Sequence, residues 1–351
     1  MALLTTTIGS YPKPDYVPVV DWFRTQNMAL PDAQTANEAF SLSRRAEIEA
    51  LLARATHEVV REQAEIGIDV PTDGEMRREN YVYYHCRHLD GIDFARWTTK
   101  SMRGGKWRAD APTIVGPIRP SERFLPSDWR IAQSVTSLPI KITIPGPLTI
   151  SDTLSDGYYG DQKRLCADLA DAINVEVRAL VEAGCAWIQI DEPVFAVEPE
   201  KALAFGIENL ERCFHSVPAN VMRVMHMCCG YPARVDLEDY PKADPAAYFK
   251  LTDALDASSV DAVSIEDAHR HNDLCLLERF QATKVILGVI AIARTRVEPV
   301  DEIAVRLEDA LEHIDASRLI AAPDCGLGML DRPTIRAKLT NMVIAARSVG
   351  H

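Results

Sequence analysis

From about residue 160 onward the chain repeats one pattern: a short apolar run that ends in polar or ionisable residues, then a segment long enough for one helix. The runs are AWIQIDEP, VMRVMHMCCG, DAVSIEDAH, KVILGVIAIA and RLIAAPDCG. Such an order implies parallel strands, because parallel neighbours need a crossover and a helix supplies it. The intervening helices are legible by their period. Over 161–183, Leu165, Leu169, Ile173, Val177 and Leu180 recur at spacings of three and four, and Gly184 is placed to end the helix. Over 300–314, Ile303, Leu307, Leu311 and Ile314 share a face, with Pro299 near the start.

Upstream, TTTIGSYP predicts a first strand and 41–66 a helix with Ile48, Leu52, Ala55, Val59 and Ile66 in register. IDVPTDGEM and PIKITIPGP predict two further strands. The total, about eight strand and helix units, is the count of a (β/α)8 TIM barrel. We therefore expect an α/β fold, one domain over 1–351, with an insertion at about 80–135 between the second and third strands, rich in Arg, Gly, Pro and Trp. Neither a solenoid repeat nor a low-complexity tract interrupts it.

A formal net charge of -13 argues against a surface that neutralises nucleic-acid phosphates or anionic lipid, so a small-molecule substrate is expected and no nucleic acid or membrane partner. The start, MALLTTTIGSYPKP, lacks the basic flank and apolar run of a signal peptide, and no stretch reaches the roughly 18 apolar residues of a membrane span. A cytoplasmic location follows as the expectation. The 8 cysteines are scattered without the spacing of a small disulfide framework, which points to reduced thiols, some of them available to a metal.

In a barrel of parallel strands the loops after the strand ends form the active face, and the ionisable residues of this chain fall at those ends. The first predicted strand ends at Ser10, the second at Asp73 and Glu75, the fourth at Asp191 and Glu192, the fifth at His226 and Cys228, the sixth at Glu266 and Asp267, the eighth at Asp324 and Cys325. His226 and Cys228 lie two apart on a strand and share a face, whereas Cys229 points the other way. With Glu266 and Cys325 they offer one nitrogen, one oxygen and two sulfurs, a set that suits tetrahedral zinc better than magnesium or calcium. Core packing is the plain alternative for His226 and Cys228 taken alone. A structural zinc is another, although such sites draw on local cysteine pairs in loops and these ligands come from three strands. Asp73 and Glu192 are expected to serve structure, capping loops or pairing with Arg77 and Arg78.

The motifs IGSYP (8–12), DGE (73–75), PGPLTI (145–150), IQIDEP (188–193), HMC (226–228), the IED that holds Glu266 and PDCGLG (323–328) follow one another in a fixed order. Together they resemble the catalytic domain of cobalamin-independent methionine synthase, over about residues 5 to 349. The resemblance implies zinc on His226, Cys228, Glu266 and Cys325, and homocysteine as the thiol. It also implies that the main chain near Ser10 meets the homocysteine carboxylate while Glu75 and Asp191, the catalytic acids of this reading, hold the ammonium. Full-length members carry an additional amino-terminal barrel, so the chain resembles a short, core-only form. The chemistry agrees: an alkyl thiol with a pKa of about 8.5 is mostly protonated at neutral pH, and zinc binding deprotonates it.

Two positions depart from the family pattern. After the seventh strand the family has a histidine that serves as general acid toward a folate nitrogen, and AIARTRVEP places Ala293 there. The family's tryptophan after its GP-x-T motif, which stacks on the pterin, is matched by Thr153. A methyl on a folate amine is a poor electrophile unless that nitrogen is protonated. The thiol side therefore reads as intact and the donor side as altered. His269 and His271 are candidates for a replacement acid, although a helix-surface position is the plainer reading of both. The expected function is methyl transfer to homocysteine from methyltetrahydrofolate or a methylated corrinoid, the latter with a corrinoid or accessory protein as partner. Zinc-dependent alkyl transfer to another small thiol, of the coenzyme M and epoxide type, is disfavoured because a sulfonate thiol brings no ammonium to Glu75 and Asp191. A non-catalytic zinc or thiol carrier is a third reading.

Overall fold

The computed structural model describes residues 2–19, 30–105, 107–231, 234–237 and 242–349, and only the backbone of 30–45 and 107. In chain order its strands are β1 (Leu4–Thr5), β2 (Leu89–Met102), β3 (Trp107–Pro120), β4 (Lys141–Pro145), β5 (Ser155–Asp156), β6 (Trp187–Asp191), β7 (Met222–Met227), β8 (Ala262–Ile265), β9 (Lys284–Ile290) and β10 (Leu319–Pro323). Seven of them form one sheet in the order β1-β10-β9-β8-β7-β6-β4, and every pair in it is parallel. The fold is thus α/β, built on a curled parallel sheet.

The predicted second strand takes a reduced form. Val70 makes a lone parallel bridge to Thr6 and Thr72 one to Lys141, so the segment touches both edge strands without becoming a strand. Pro71 stands between these two contacts, and with no N–H to donate it cannot extend a ladder.

The helices start and stop for local reasons. Helix Gln162–Ala183 is capped by the Asp161 side chain, which accepts from the N–H groups of Lys163 and Arg164, and it ends at Gly184 with φ 107°. Helix Val300–Leu311 begins after Pro299 with Asp301 and Glu302 in its first turn, where acids oppose the positive end of the helix dipole. Helix Leu30–Ile66 starts earlier than the predicted 41. Its opening turns, LPDAQTANEAF, carry no apolar stripe for periodicity to detect.

Register decides which side chains meet inside the curl. Ile8, Val224, Ala262, Ile286, Ile320 and Ala322 pack together, with Trp187 and Met222 against them. They mark the concave face. Alternation then places His226 two residues beyond Val224 on that face and Asp191 beside it in register; Gln189 pairs with Val224 and with Thr143. The larger core lies between the strands and the surrounding helices.

The insertion consists of helix Tyr81–Cys86, the antiparallel hairpin β2-β3 and helix Leu125–Gln133. The hairpin joins β5 in a small second sheet. It is also stitched to helix Pro147–Thr153, whose last turn offers unpaired carbonyls: Lys100 Nζ donates to Ser151 O at 2.7 Å and to Leu154 O at 2.5 Å. These bonds bring the hairpin to the same end of the sheet as Asp191 and His226.

Candidate active site

At the C-terminal end of β7 the strand delivers His226 and then Cys228, and the turn after β10 delivers Cys325. Their ligand atoms lie within 4.8 Å of one another. His226 Nε2 is 3.5 Å from Cys325 Sγ, and its Nδ1 is 2.9 Å from Ser264 Oγ on the neighbouring strand β8. Ser264 fixes the ring so that the other nitrogen faces the sulfurs, the arrangement expected of a metal-binding imidazole. A hydrogen bond from Cys325, then His226 and Arg103, hold the Cys228 thiol well below its ordinary range against its burial. The cluster offers two sulfurs and an imidazole nitrogen, all soft or borderline donors, and it fits zinc.

Glu266 ends β8 close to this trio but stands outside the 4.8 Å group. Its carboxylate is 3.6 Å from Lys242 Nζ, which comes from the long loop after β7. Burial, the Cys228 thiolate and Asp324 push it well above the ordinary carboxylate range. Asp324 acts on the backbone instead. It accepts from the N–H groups of Asp267, Ala268 and His269 at 2.7–2.8 Å, tying the loop after β8 to the end of β10.

The two other predicted acids stand on the adjoining part of the rim, since Asp191 pairs with His226 across β6 and β7. Asp191 ends β6, and its Oδ1 accepts from Gln189 Nε2 at 2.7 Å. Burial raises it to about 7, and Glu75 adds to that while His226, Gln189 and Arg78 oppose it. Glu75 sits at φ 56°, a left-handed conformation that non-glycine residues seldom hold, and its Oε1 accepts from Thr143 Oγ1 at 2.8 Å and Arg78 Nη1 at 3.1 Å. Gly9 packs closely here: a Cβ on it would fall 2.6 Å from that same oxygen and would push Glu75 from its place. Ser10 lies beside Gly326, where a Cβ would come 2.2 Å from Ser10 Oγ, and Leu327 N–H donates to Ser10 O at 2.7 Å. The turns that carry Ser10 and Cys325 are thus locked together.

Asp73 and Glu192, expected to cap loops or pair with Arg77 and Arg78, both make capping contacts, and Asp73 also lies near Arg78. Asp73 Oδ1 caps the Glu75 N–H at 3.1 Å and its Oδ2 lies 3.8 Å from Arg78. Glu192 instead accepts from the N–H groups of Leu148 and Thr149, both at 2.9 Å, and from Thr149 Oγ1 at 2.7 Å, so it caps helix Pro147–Thr153 from another loop.

Around Thr153 and Ala293 the structure has its own furniture. Arg103, at φ 53° in the turn of the hairpin, donates its N–H to Asp152 Oδ2 at 3.0 Å and its Nη2 to Tyr81 OH at 3.4 Å. On the other flank, Asp236 from the loop after β7 donates its N–H to Ala293 O at 2.7 Å, and its carboxylate accepts from Thr295 N–H and Oγ1. His269 is not a helix-surface residue: its Nδ1 is 2.7 Å from Asp324 Oδ2 and its Nε2 accepts from the Ala293 N–H at 3.2 Å. His271 is exposed.

The family model described as cobalamin-independent synthase, catalytic domain, matches residues 3–348. The chain belongs to that family. Methionine synthase from Sulfolobus acidocaldarius is 31% identical over 97% of this chain and 90% of its own length, and that from Saccharolobus solfataricus is 32% identical over 99% and 95%. Among solved structures, a B12-independent methionine synthase from Shewanella sp. W3-18-1 in complex with selenomethionine superposes with a TM-score of 0.84 at 28% identity, over 99% of this chain and 97% of that one. A putative vitamin-B12 independent methionine synthase from Listeria monocytogenes shares the fold, with a TM-score of 0.71 at 20% identity over 98% of each chain. Methionine synthase is a methyltransferase, and this chain is an enzyme of that class.

Within the cobalamin-independent methionine synthase fold, sequence reasoning missed the residues that aim the others. Ser264 and Gln189 were findable, since each lies two positions before a predicted rim residue and so shares its face. Arg103, Tyr81, Lys242 and Asp236 carry no such signal, because they reach the site from loops and from the insertion. Among the described residues no helix is long and apolar enough to cross a membrane.

Proposed function

We propose that the chain methylates homocysteine to methionine with zinc bound by His226, Cys228, Glu266 and Cys325. The observation that supports this most is the compact His226, Cys228 and Cys325 trio with a buried pair of acids beside it, Asp191 in register with His226, at the rim of a methionine synthase fold. When bound, zinc would hold the substrate sulfur as a thiolate, the nucleophile of the reaction. The chain's own residues do the rest. Asp191 and Glu75 take the ammonium, the Ser10 main chain takes the carboxylate, and the walls of the buried site keep water from the thiolate. Glu266, which lies beside the trio and 3.6 Å from Lys242, would supply the fourth ligand. An acid pair of this kind selects a thiol with an ammonium and disfavours a sulfonate thiol.

We read 1–351 as one domain whose segment 70–72 fills the eighth barrel position through its bridges to both edge strands. The cysteines among the described residues are free, which suits a reducing cytoplasm. The donor is a methyl group presented on something other than a pterin stacked in the family manner, such as a methylated corrinoid held by a partner protein. The altered positions Thr153 and Ala293, flanked by the hairpin and by Asp236, support this. Methionine formation from homocysteine by zinc-loaded protein, assayed with methyltetrahydrofolate, with methylcobalamin and with cell extract, tests the reading. Failure to form methionine under all three conditions would refute it.

A further inference from the structure

Lys141 opens β4 and is 0% exposed. It lies on the concave face, two residues before Thr143, on the side of the sheet where Ile8, Val224, Ala262, Ile286 and Ile320 pack. An ammonium is costly to desolvate in such surroundings, and a lysine is seldom kept there without a role. Burial pulls it down to about 7, and Asp191 is the charge that opposes this.

Among the described residues Lys141 Nζ has no hydrogen-bond partner, and neither has Gln189 Oε1. Register sets these two side chains diagonally on neighbouring strands, since Lys141 pairs with Trp187 and Thr143 with Gln189. Diagonal neighbours on one face start about 7–8 Å apart, within reach of long side chains. The orientation of the Gln189 amide is settled by its other end, where Nε2 donates to Ile8 O at 2.9 Å and to Asp191 Oδ1 at 2.7 Å. One donor and one acceptor are thus left over in the same interior. Water answers both, accepting from the ammonium and donating to the amide oxygen, whereas an anion would be repelled by that oxygen and a cation by the lysine.

We propose that a buried water molecule bridges Lys141 Nζ to Gln189 Oε1, and that Lys141 is thereby a positioning residue for Asp191. Through Gln189 the chain of hydrogen bonds fixes the carboxylate at the end of β6. The substrate ammonium gains more from direct contact with a well-oriented Asp191 than it loses to the more distant lysine, because the interaction falls with separation. This inference rests on the homocysteine reading.

The test measures binding of homocysteine and of 4-mercaptobutanoate, the same thiol without its ammonium, to the zinc-loaded full chain by calorimetry. The wild type should prefer homocysteine, and Lys141→Met should reduce that preference about tenfold, the worth of one buried hydrogen-bonded link, with zinc content unchanged. Lys141→Gln, which keeps a polar partner for the water but loses the charge, should lie between the two and serves alone if the methionine variant does not fold. A lysine that is merely tolerated in the core would show the opposite: Lys141→Met would melt at a higher temperature and keep the wild-type preference, overturning the role. A high-resolution crystal structure with Nζ and Oε1 in direct contact would overturn the water. A wild type that binds both thiols alike would instead sink the homocysteine reading itself.

Discussion

The thiol half of the site and the donor half are built by different means. His226, Asp191, Glu266 and Cys325 stand at or just beyond the ends of parallel strands, so the register of the sheet sets their spacing before any loop folds. Thr153, Ala293, Arg103 and Asp236 are carried by a short helix, by loops and by the turn of a hairpin. A strand end cannot move without shifting its neighbours, whereas a loop can be rebuilt on an unchanged frame. The departures that the family resemblance implies, Thr153 and Ala293, both fall on segments of the second kind.

The largest effect should come from the metal side. Cys228→Ser and Cys325→Ser each remove a soft donor from a trio that has no spare. The loss in zinc affinity should exceed the roughly 10- to 100-fold that an outer-shell change costs, and methyl transfer should fall with it. Metal analysis of the purified variants checks this; full occupancy in both would mean that the strand-end half is not a metal centre.

Next in size is Asp191→Asn. Removing a buried charged partner from an ammonium should weaken homocysteine binding by about 10- to 100-fold while leaving 4-mercaptobutanoate unaffected. Stability should move the other way. The folded value of about 7 lies above the ordinary one, chiefly through burial, so the stability that the protonated form contributes is full at acid pH and is lost as pH rises toward and through 7. In metal-free protein at pH 8 the asparagine variant should therefore melt higher than the wild type, and at pH 4 the gain should vanish. Equal melting at both values would show that Asp191 is better solvated than its 7% exposure suggests.

A smaller effect separates ligands from the groups that aim them. Ser264→Ala frees His226 Nδ1 from its 2.9 Å partner without touching the trio. Zinc affinity should drop about tenfold, at the low end for an outer-shell partner, and competition against a chelator measures it. No change would assign the orientation of the ring to packing alone.

The same division explains how much the sequence could tell. Alternation put His226 and Cys228 on one face and excluded Cys229, and the structure brings both to Cys325. Recurrent apolar runs located the strands of the parallel sheet from β4 onward, because each is a continuous buried run between amphipathic helices. The second strand read as a strand by composition but is held by two lone bridges, since Pro71 cannot donate where a ladder would need it. His269 was read as a surface histidine, because nothing local shows that Asp324, 55 residues away, accepts its Nδ1. Long-range partners of loop residues leave no periodic trace, and Arg103 and Asp236 were illegible for that reason.

The smallest expected effect is also the sharpest check on the contrast between the halves. If the donor half were an eroded folate pocket, Ala293→His would restore the missing acid and raise turnover with methyltetrahydrofolate by much of the roughly 100- to 10,000-fold that general acids supply. The surroundings of Ala293 argue otherwise. Its side chain is 2% exposed, its N–H is taken by His269 and its carbonyl by Asp236. An imidazole added there would have to displace packed neighbours, the kind of overfilling that costs stability. Thr153→Trp meets a similar obstacle, because the Lys100 and Arg103 anchors hold the hairpin against the same helix. The double variant should therefore gain less than about threefold in folate-dependent turnover, far below what a restored acid would give, and should melt below the wild type. Steady-state rates with methyltetrahydrofolate, alongside zinc content and homocysteine affinity as controls for the thiol half, decide the matter. A hundredfold gain would mean that the loops yield easily and that the donor half differs from the family by two side chains alone.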